Sequence, residues 1–180
     1  MLHMLILYTA LAAGANMALA GEVDLTAAKE AGLELIAGNG DEVSDEIFTD
    51  PEGGEHRLSD YRGQAILLNF WATWCAPCRE EMPALNSLQK ELGGEDFQVV
   101  TIAAGRNTLT GIERFLSRAE IDSLPVLLDP RQKLTREFGV LAMPATILID
   151  RDGREAARLM GPADWSSDAA KQAISELTAP

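Results

Sequence analysis

Two cysteines stand two residues apart in the stretch WATWCAPCR, residues 71–79, and the chain has no others. A thiol pair at this spacing can hold a metal, staple a loop or exchange electrons. A closed zinc site takes about four nitrogen or sulfur ligands, and beyond Cys75 and Cys78 the chain offers only His3 and His56. A disulfide across so short a loop removes little chain entropy and would stabilise weakly. Thiol exchange is the use that remains. It needs one thiol that is ionised and reachable, and a second that can close the disulfide.

The flanking sequence supplies both conditions. Ala65 to Trp71 (AILLNFW) is a continuous apolar run of strand length, the pattern of a strand buried on both faces. A helix is expected from Cys75 to Leu92, because Met82, Leu85, Leu88 and Leu92 recur at helical spacing and Gly93-Gly94 follows. Pro77 suits its first turn, while Pro83 lies in its interior and should kink it. Cys75 at the helix start meets unpaired N–H groups and the positive end of the macrodipole, which favour a thiolate. Cys78 follows one turn later. Cys75 then attacks a substrate disulfide, and Cys78 resolves the mixed disulfide by attacking the Cys75 sulfur.

The other elements must position this pair. A short helix is read over Glu22 to Leu35, a Gly-Asn-Gly break at residues 38–40, and a hairpin from Ile47–Asp50 through Pro51–Gly54. Strands follow at Phe97–Ala103, Pro125–Leu128 and Ala145–Ile149. Helices are read at Gly111–Ala119 and Arg131–Phe138. A tight turn at Asp150–Gly153 leads to an antiparallel strand, Glu155–Met160, and the last helix runs from near Ser166 to Leu177. Strands alternating with helices and closed by a hairpin predict an α/β sandwich with a mixed sheet. The division expected is residues 1–20, an N-terminal extension 21–46, and one domain over 47–180.

Fifteen basic against 28 acidic residues give a formal charge of −13, with 47% apolar residues. That balance argues against nucleic acid or an anionic membrane surface as partner. Residues 1–20, MLHMLILYTALAAGANMALA, carry no Asp, Glu, Lys or Arg and end in Ala18-Leu19-Ala20. They read as a cleaved export signal or an uncleaved anchor, and either puts the domain outside the cytoplasm, where disulfides persist.

The stretches LLNFWATWCAPCREEMPAL, GVLAMPATILIDRDG and GPADW resemble the thioredoxin superfamily, in particular its TlpA-like branch of exported thiol:disulfide oxidoreductases, from about Ile47 to Leu177. The resemblance implies a thioredoxin-like three-layer α/β/α sandwich with a mixed central sheet, an N-terminal β-hairpin and a central βα insertion over Arg106–Leu128. It implies a cis bond before Pro144, which lies beside the cysteines and bars metal binding, and a substrate-docking rim of Trp74, Ala76, Pro77, Met143 and Pro144. It further implies protein partners: a copper chaperone, an oxidase subunit or an apocytochrome c, with a membrane thiol transporter as electron donor, acting on a periplasmic monomer without cofactor or bound metal.

The chain departs from relatives at two places. Thioredoxin has a buried Asp before its Phe-Trp, where Asn69 stands here, and some cytochrome c maturation relatives carry Glu after the cis-Pro, where Ala145 stands. Glu80 and Glu81 are the nearest acids in sequence, and a solvated helix face accounts for both. Ala76 and Pro77 bring no cation or imidazole to the thiolate, so a reductase is expected over a general oxidase. Trp71 fits core and Trp74 either core or docking surface. Met82 and Met143 admit a Cu(I)-delivering module as the alternative function. His56 reads as a surface residue, and Asp150–Gly153 as a β-turn.

Overall fold

The structure, a computed structural model, describes residues 23–179. The export signal or anchor read at residues 1–20 lies outside them.

A short helix opens the described chain, α1 (Leu25–Glu30), capped by Asp24, whose carboxylate accepts from the N–H groups of Thr26 and Ala27 at 3.0 Å. It ends well before Leu35. Gly32 takes the left-handed conformation at φ 86°, and Leu33 N–H closes back on Ala28 C=O at 2.8 Å. The chain then extends, and β1 (Ile36–Ala37) adds to the sheet edge. Gly38 follows because the backbone passes Glu155 closely; a Cβ there would lie 2.3 Å from the Glu155 carbonyl oxygen.

The hairpin forms as β2 (Phe48–Thr49) and β3 (Glu55–His56), and a 3₁₀ turn at Leu58–Tyr61 leads to β4 (Ala65–Trp71). Every residue of β4 is buried. Then come α2 (Ala76–Leu92), β5 (Phe97–Ala104), α3 (Leu109–Arg118), β6 (Leu127–Asp129), α4 (Lys133–Glu137), β7 (Ala145–Ile149), β8 (Glu155–Met160) and α5 (Asp168–Leu177). α4 starts later than Arg131 because Gln132 is left-handed at φ 53°, while the Asp129 carboxylate takes the N–H groups of Lys133 and Thr135. β6 starts after Pro125, which has no N–H to give a ladder.

One mixed sheet runs β1-β8-β7-β4-β5-β6-β2-β3. β4 pairs parallel with β5 and antiparallel with β7, so it sits at the centre. Side chains alternate along it. Leu67 and Trp71 join the layer with Met82, Leu85 and Leu88 of α2, Ile112 of α3, and Ala173 and Ile174 of α5. Ile66, Leu68 and Phe70 face Phe48, Leu134 and Phe138 on the other side. This is the thioredoxin-like α/β/α sandwich that the sequence predicts. α2 continues through Pro83, with the Ser87 hydroxyl donating to the Pro83 carbonyl at 3.0 Å.

Candidate active site

β4 delivers the chain to the surface at its C-terminal end, and α2 takes it back in; Cys75 is the N-cap of that helix. Thr73, in the link, is held at three atoms. Its N–H and hydroxyl donate to Asn107 Oδ1 at 2.8 and 2.9 Å, and its carbonyl accepts from Arg79 Nη1 at 2.6 Å. Asn107 is fixed in turn by donating to Ala104 C=O at 3.0 Å. The segment between β5 and α3 therefore locks the link ahead of the cysteines. Asn107 carries no motif, and only the fold brings it here.

Cys75 and Cys78 form a disulfide, with 5.3 Å between Cα atoms. Cys75 Sγ accepts the N–H of Cys78 at 3.3 Å, and the free N–H groups and dipole of a 17-residue helix point at it. The two sulfurs are unequal in access: Cys75 is 6% exposed and Cys78 fully buried. Met143 C=O lies 3.6 Å from Cys75 Sγ, and the Met143–Pro144 peptide bond is cis. Around Cys75 the surface is apolar. Trp74 is 61% exposed, Ala76 is exposed, Pro77 and Met143 are half-buried, and Leu141, on the loop ahead of Pro144, is 97% exposed. Trp74 and Ala76 flank Cys75 in the chain and Pro77 follows, while the fold brings Met143, followed by the buried Pro144, to the Cys75 sulfur. Trp71 packs inward against Phe115, ring centroids 5.5 Å apart, and Met82 is fully buried in the core. His56 pairs with Asp50 at 3.1 Å on the hairpin.

Glu80 is exposed as the sequence suggests, but Glu81 is not on a solvated face. It is 4% exposed, one turn after Cys78 on α2. Its Oε1 accepts from Asn69 Nδ2 at 2.8 Å, and its Oε2 from Ala163 N–H at 3.2 Å and Trp165 Nε1 at 3.3 Å. Burial pushes its carboxyl up to about 7, against the opposing pull of the hydrogen bonds from Asn69, Ala163 and Trp165. The Glu-Glu pair straddles the boundary of an amphipathic helix, which is why adjacent identical residues differ. A cleft of about 310 Å³ lined by Pro77, Glu80, Glu81, Ala84, Pro162 and Asp164 reaches this carboxyl from the surface. A hollow of about 360 Å³ at the opposite end of β4, lined in part by Glu42 and Arg62, is remote from the cysteines.

Asn69 is fully buried on the α2 side of β4, and its Nδ2 also donates to Thr146 Oγ1 at 3.0 Å. Among the described residues no cluster of three or more His, Cys, Asp or Glu could hold a metal ion.

The Redoxin family profile matches residues 38–174. The chain belongs to the Redoxin family. Among its relatives, a thiol-disulfide oxidoreductase ResA of Geobacillus thermodenitrificans is 36% identical over 115 residues, 64% of this chain and 65% of that protein. The chain thus spans just under two thirds of that relative. A ResA of Bacillus thuringiensis is 30% identical over 133 residues, 74% of this chain and 73% of the relative. A crystal structure from Chlorobium tepidum, described as a thiol:disulfide interchange protein DsbE, superposes with a TM-score of 0.68 at 30% identity, covering 79% of this chain and 98% of that one. These Redoxin relatives agree with the resemblance to the TlpA-like branch.

Proposed function

We propose that this Redoxin family protein is a thiol:disulfide oxidoreductase working outside the cytoplasm as a protein-disulfide reductase. The observation that carries the reading is the asymmetry of the pair: a reachable Cys75 capping a long helix, bonded to a buried Cys78, with a buried carboxyl one turn further on. In the reduced protein the Cys75 thiolate attacks one sulfur of a substrate disulfide and expels the other as a thiolate. Glu81, as carboxylate, takes the proton of the Cys78 thiol. The Cys78 thiolate then attacks Cys75 Sγ, the mixed disulfide breaks, and the substrate leaves with its second sulfur reduced. Two electrons pass to the substrate and the Cys75–Cys78 disulfide remains. The acid that the sequence lacks at Asn69 is supplied from α2.

Trp74, Ala76, Pro77 and Met143, with the buried Pro144 next in the chain, form the surface on which the substrate polypeptide docks. Ala76 and Pro77 supply no charge to hold the thiolate, which favours reduction over oxidation. The partners proposed are proteins that receive a metal or haem through cysteines, a copper chaperone, an oxidase subunit or an apocytochrome c, with a membrane thiol transporter returning electrons. The relatives named as oxidoreductases support the chemistry. Full burial of Met82 weighs against a thioether-assisted Cu(I) site.

Cys78→Ser is the test. It should accumulate a protein adduct on Cys75 that a small thiol releases, and the same chain with Cys75→Ser should form none. Wild-type turnover of a protein disulfide by Cys78→Ser would sink the mechanism.

A further inference from the structure

All three partners of the Glu81 carboxyl are donors, and two of them, the Ala163 amide and the Trp165 indole, can only donate. The set suits a carboxylate and gives the hydroxyl of a carboxylic acid nothing to bond. One uncommitted acceptor stands in the same buried place. Among the described residues Asn69 Oδ1 has no hydrogen-bond partner, although its Nδ2 spends both protons, one on Glu81 at 2.8 Å and one on Thr146 Oγ1 at 3.0 Å. A half-turn of the amide about its terminal torsion exchanges oxygen and nitrogen with almost no change of shape. It would present Oδ1, with two lone pairs, to Glu81 and Thr146 together. The Thr146 hydroxyl accommodates either arrangement, since it accepts from Nδ2 or donates to Oδ1.

We propose that Asn69 is a positioning residue for proton transfer at this site, its side-chain amide turning over with the protonation of Glu81, so that Nδ2 faces the carboxylate and Oδ1 faces the acid. When the Cys78 proton arrives on Glu81 Oε1, that O–H donates to Oδ1, while Oε2 keeps the Ala163 and Trp165 N–H groups. The buried acid stays paired during the attack of Cys78 on Cys75. One polar atom of the amide is without a partner among the described residues in either arrangement, so the turn exchanges one deficit for another.

The surroundings leave Glu81 as the group that drives the turn. On α2, Glu80 lines the cleft with it, and Arg79 is committed to Thr73 C=O. From the loop after β8, Asp164 lines the same cleft, its carboxyl held below the usual range by the Ser166 hydroxyl and N–H. From β4 and β7 the facing residues, Asn69 and Thr146, are neutral.

The proposal rests on Glu81 as proton acceptor, but its test uses oxidised protein, in which no exchange occurs, so it can fail while the disulfide chemistry stands. The full chain is titrated by NMR, reading Glu81 Cδ and the two Asn69 Hδ2 protons. Above the Glu81 midpoint, the Hδ2 protons should show strong cross-relaxation to the Thr146 methyl and Glu81 Hγ. Below it these signals should be lost, with the Hδ2 shifts moving at the same midpoint. In Glu81→Gln the pH dependence should vanish. Cross-relaxation unchanged across the midpoint, or a turn that persists in Glu81→Gln, overturns the proposal. The wild-type titration needs no variant, so the proposal stands or falls whether or not Glu81→Gln folds.

Discussion

Replacing Glu81 with Gln should make the protein more stable relative to wild type as pH rises, by an amount that the structure sets. The folded state holds the Glu81 proton with a pKa of about 7 against its ordinary value of 4.5, because burial disfavours the ion. At about 1.4 kcal/mol for each tenfold in proton affinity, that gap amounts to ~3 kcal/mol. Between 4.5 and 7 the folded chain binds more protons than the unfolded chain, so stability falls as pH rises through this window. Below 4.5 both states hold the proton and nothing is lost; well above 7 both have released it and the loss is complete. Glutamine does not titrate, and every other group titrates alike in both proteins. The difference between the two unfolding free energies should therefore change by roughly 2.5 kcal/mol between about pH 5 and about pH 8. That is a large part of the ~5–15 kcal/mol typical of a domain. Urea unfolding of the oxidised proteins, read by Trp fluorescence, measures it at constant ionic strength. Any packing cost of the substitution is common to both pH values and cancels. Parallel stability profiles across that range would refute a buried, proton-holding Glu81.

Two further outcomes follow from the rim and the link. Trp74, 61% exposed beside Cys75, should behave as an anchor for the substrate polypeptide. Trp74→Ala should raise KM for a protein disulfide by roughly 30-fold, the equivalent of a hot spot of ~2 kcal/mol, while the rate with a small disulfide changes little; equal losses on both would remove the docking role. Asn107→Ala takes away both bonds to Thr73. Amide hydrogen exchange at Thr73 should then speed up by about tenfold or more, and unchanged protection would show that Arg79 alone holds the link.

How much of this was legible follows from where the signal lies along the chain. β4, β7 and β8 could be bounded from sequence because apolar runs or alternation end at turn residues on both sides. α1 could not, since the apolar spacing continues past Gly32 and only a left-handed glycine, an effect of backbone conformation, stops the helix. The two cysteines were readable because thiols announce themselves by type. Asn107 was not, since its role depends on a loop from β5 meeting a loop from β4, 34 residues away in sequence.

Glu81 shows the same limit at the centre of the chemistry. In sequence, Asn69 looks like a missing acid, because thioredoxin carries its buried Asp at the corresponding strand position. In the fold, Asn69 Nδ2 and Glu81 Oε1 are hydrogen-bonded at 2.8 Å, so strand and helix meet at one buried point. A proton acceptor at that point can be supplied from either element, provided the other supplies a neutral partner; two carboxyls there would repel and could not both ionise. Asparagine on the strand is therefore compatible with an acid on the helix, to which it donates. A neutral Asn69 thus leaves the Glu81 carboxyl without a second acid facing it from the strand.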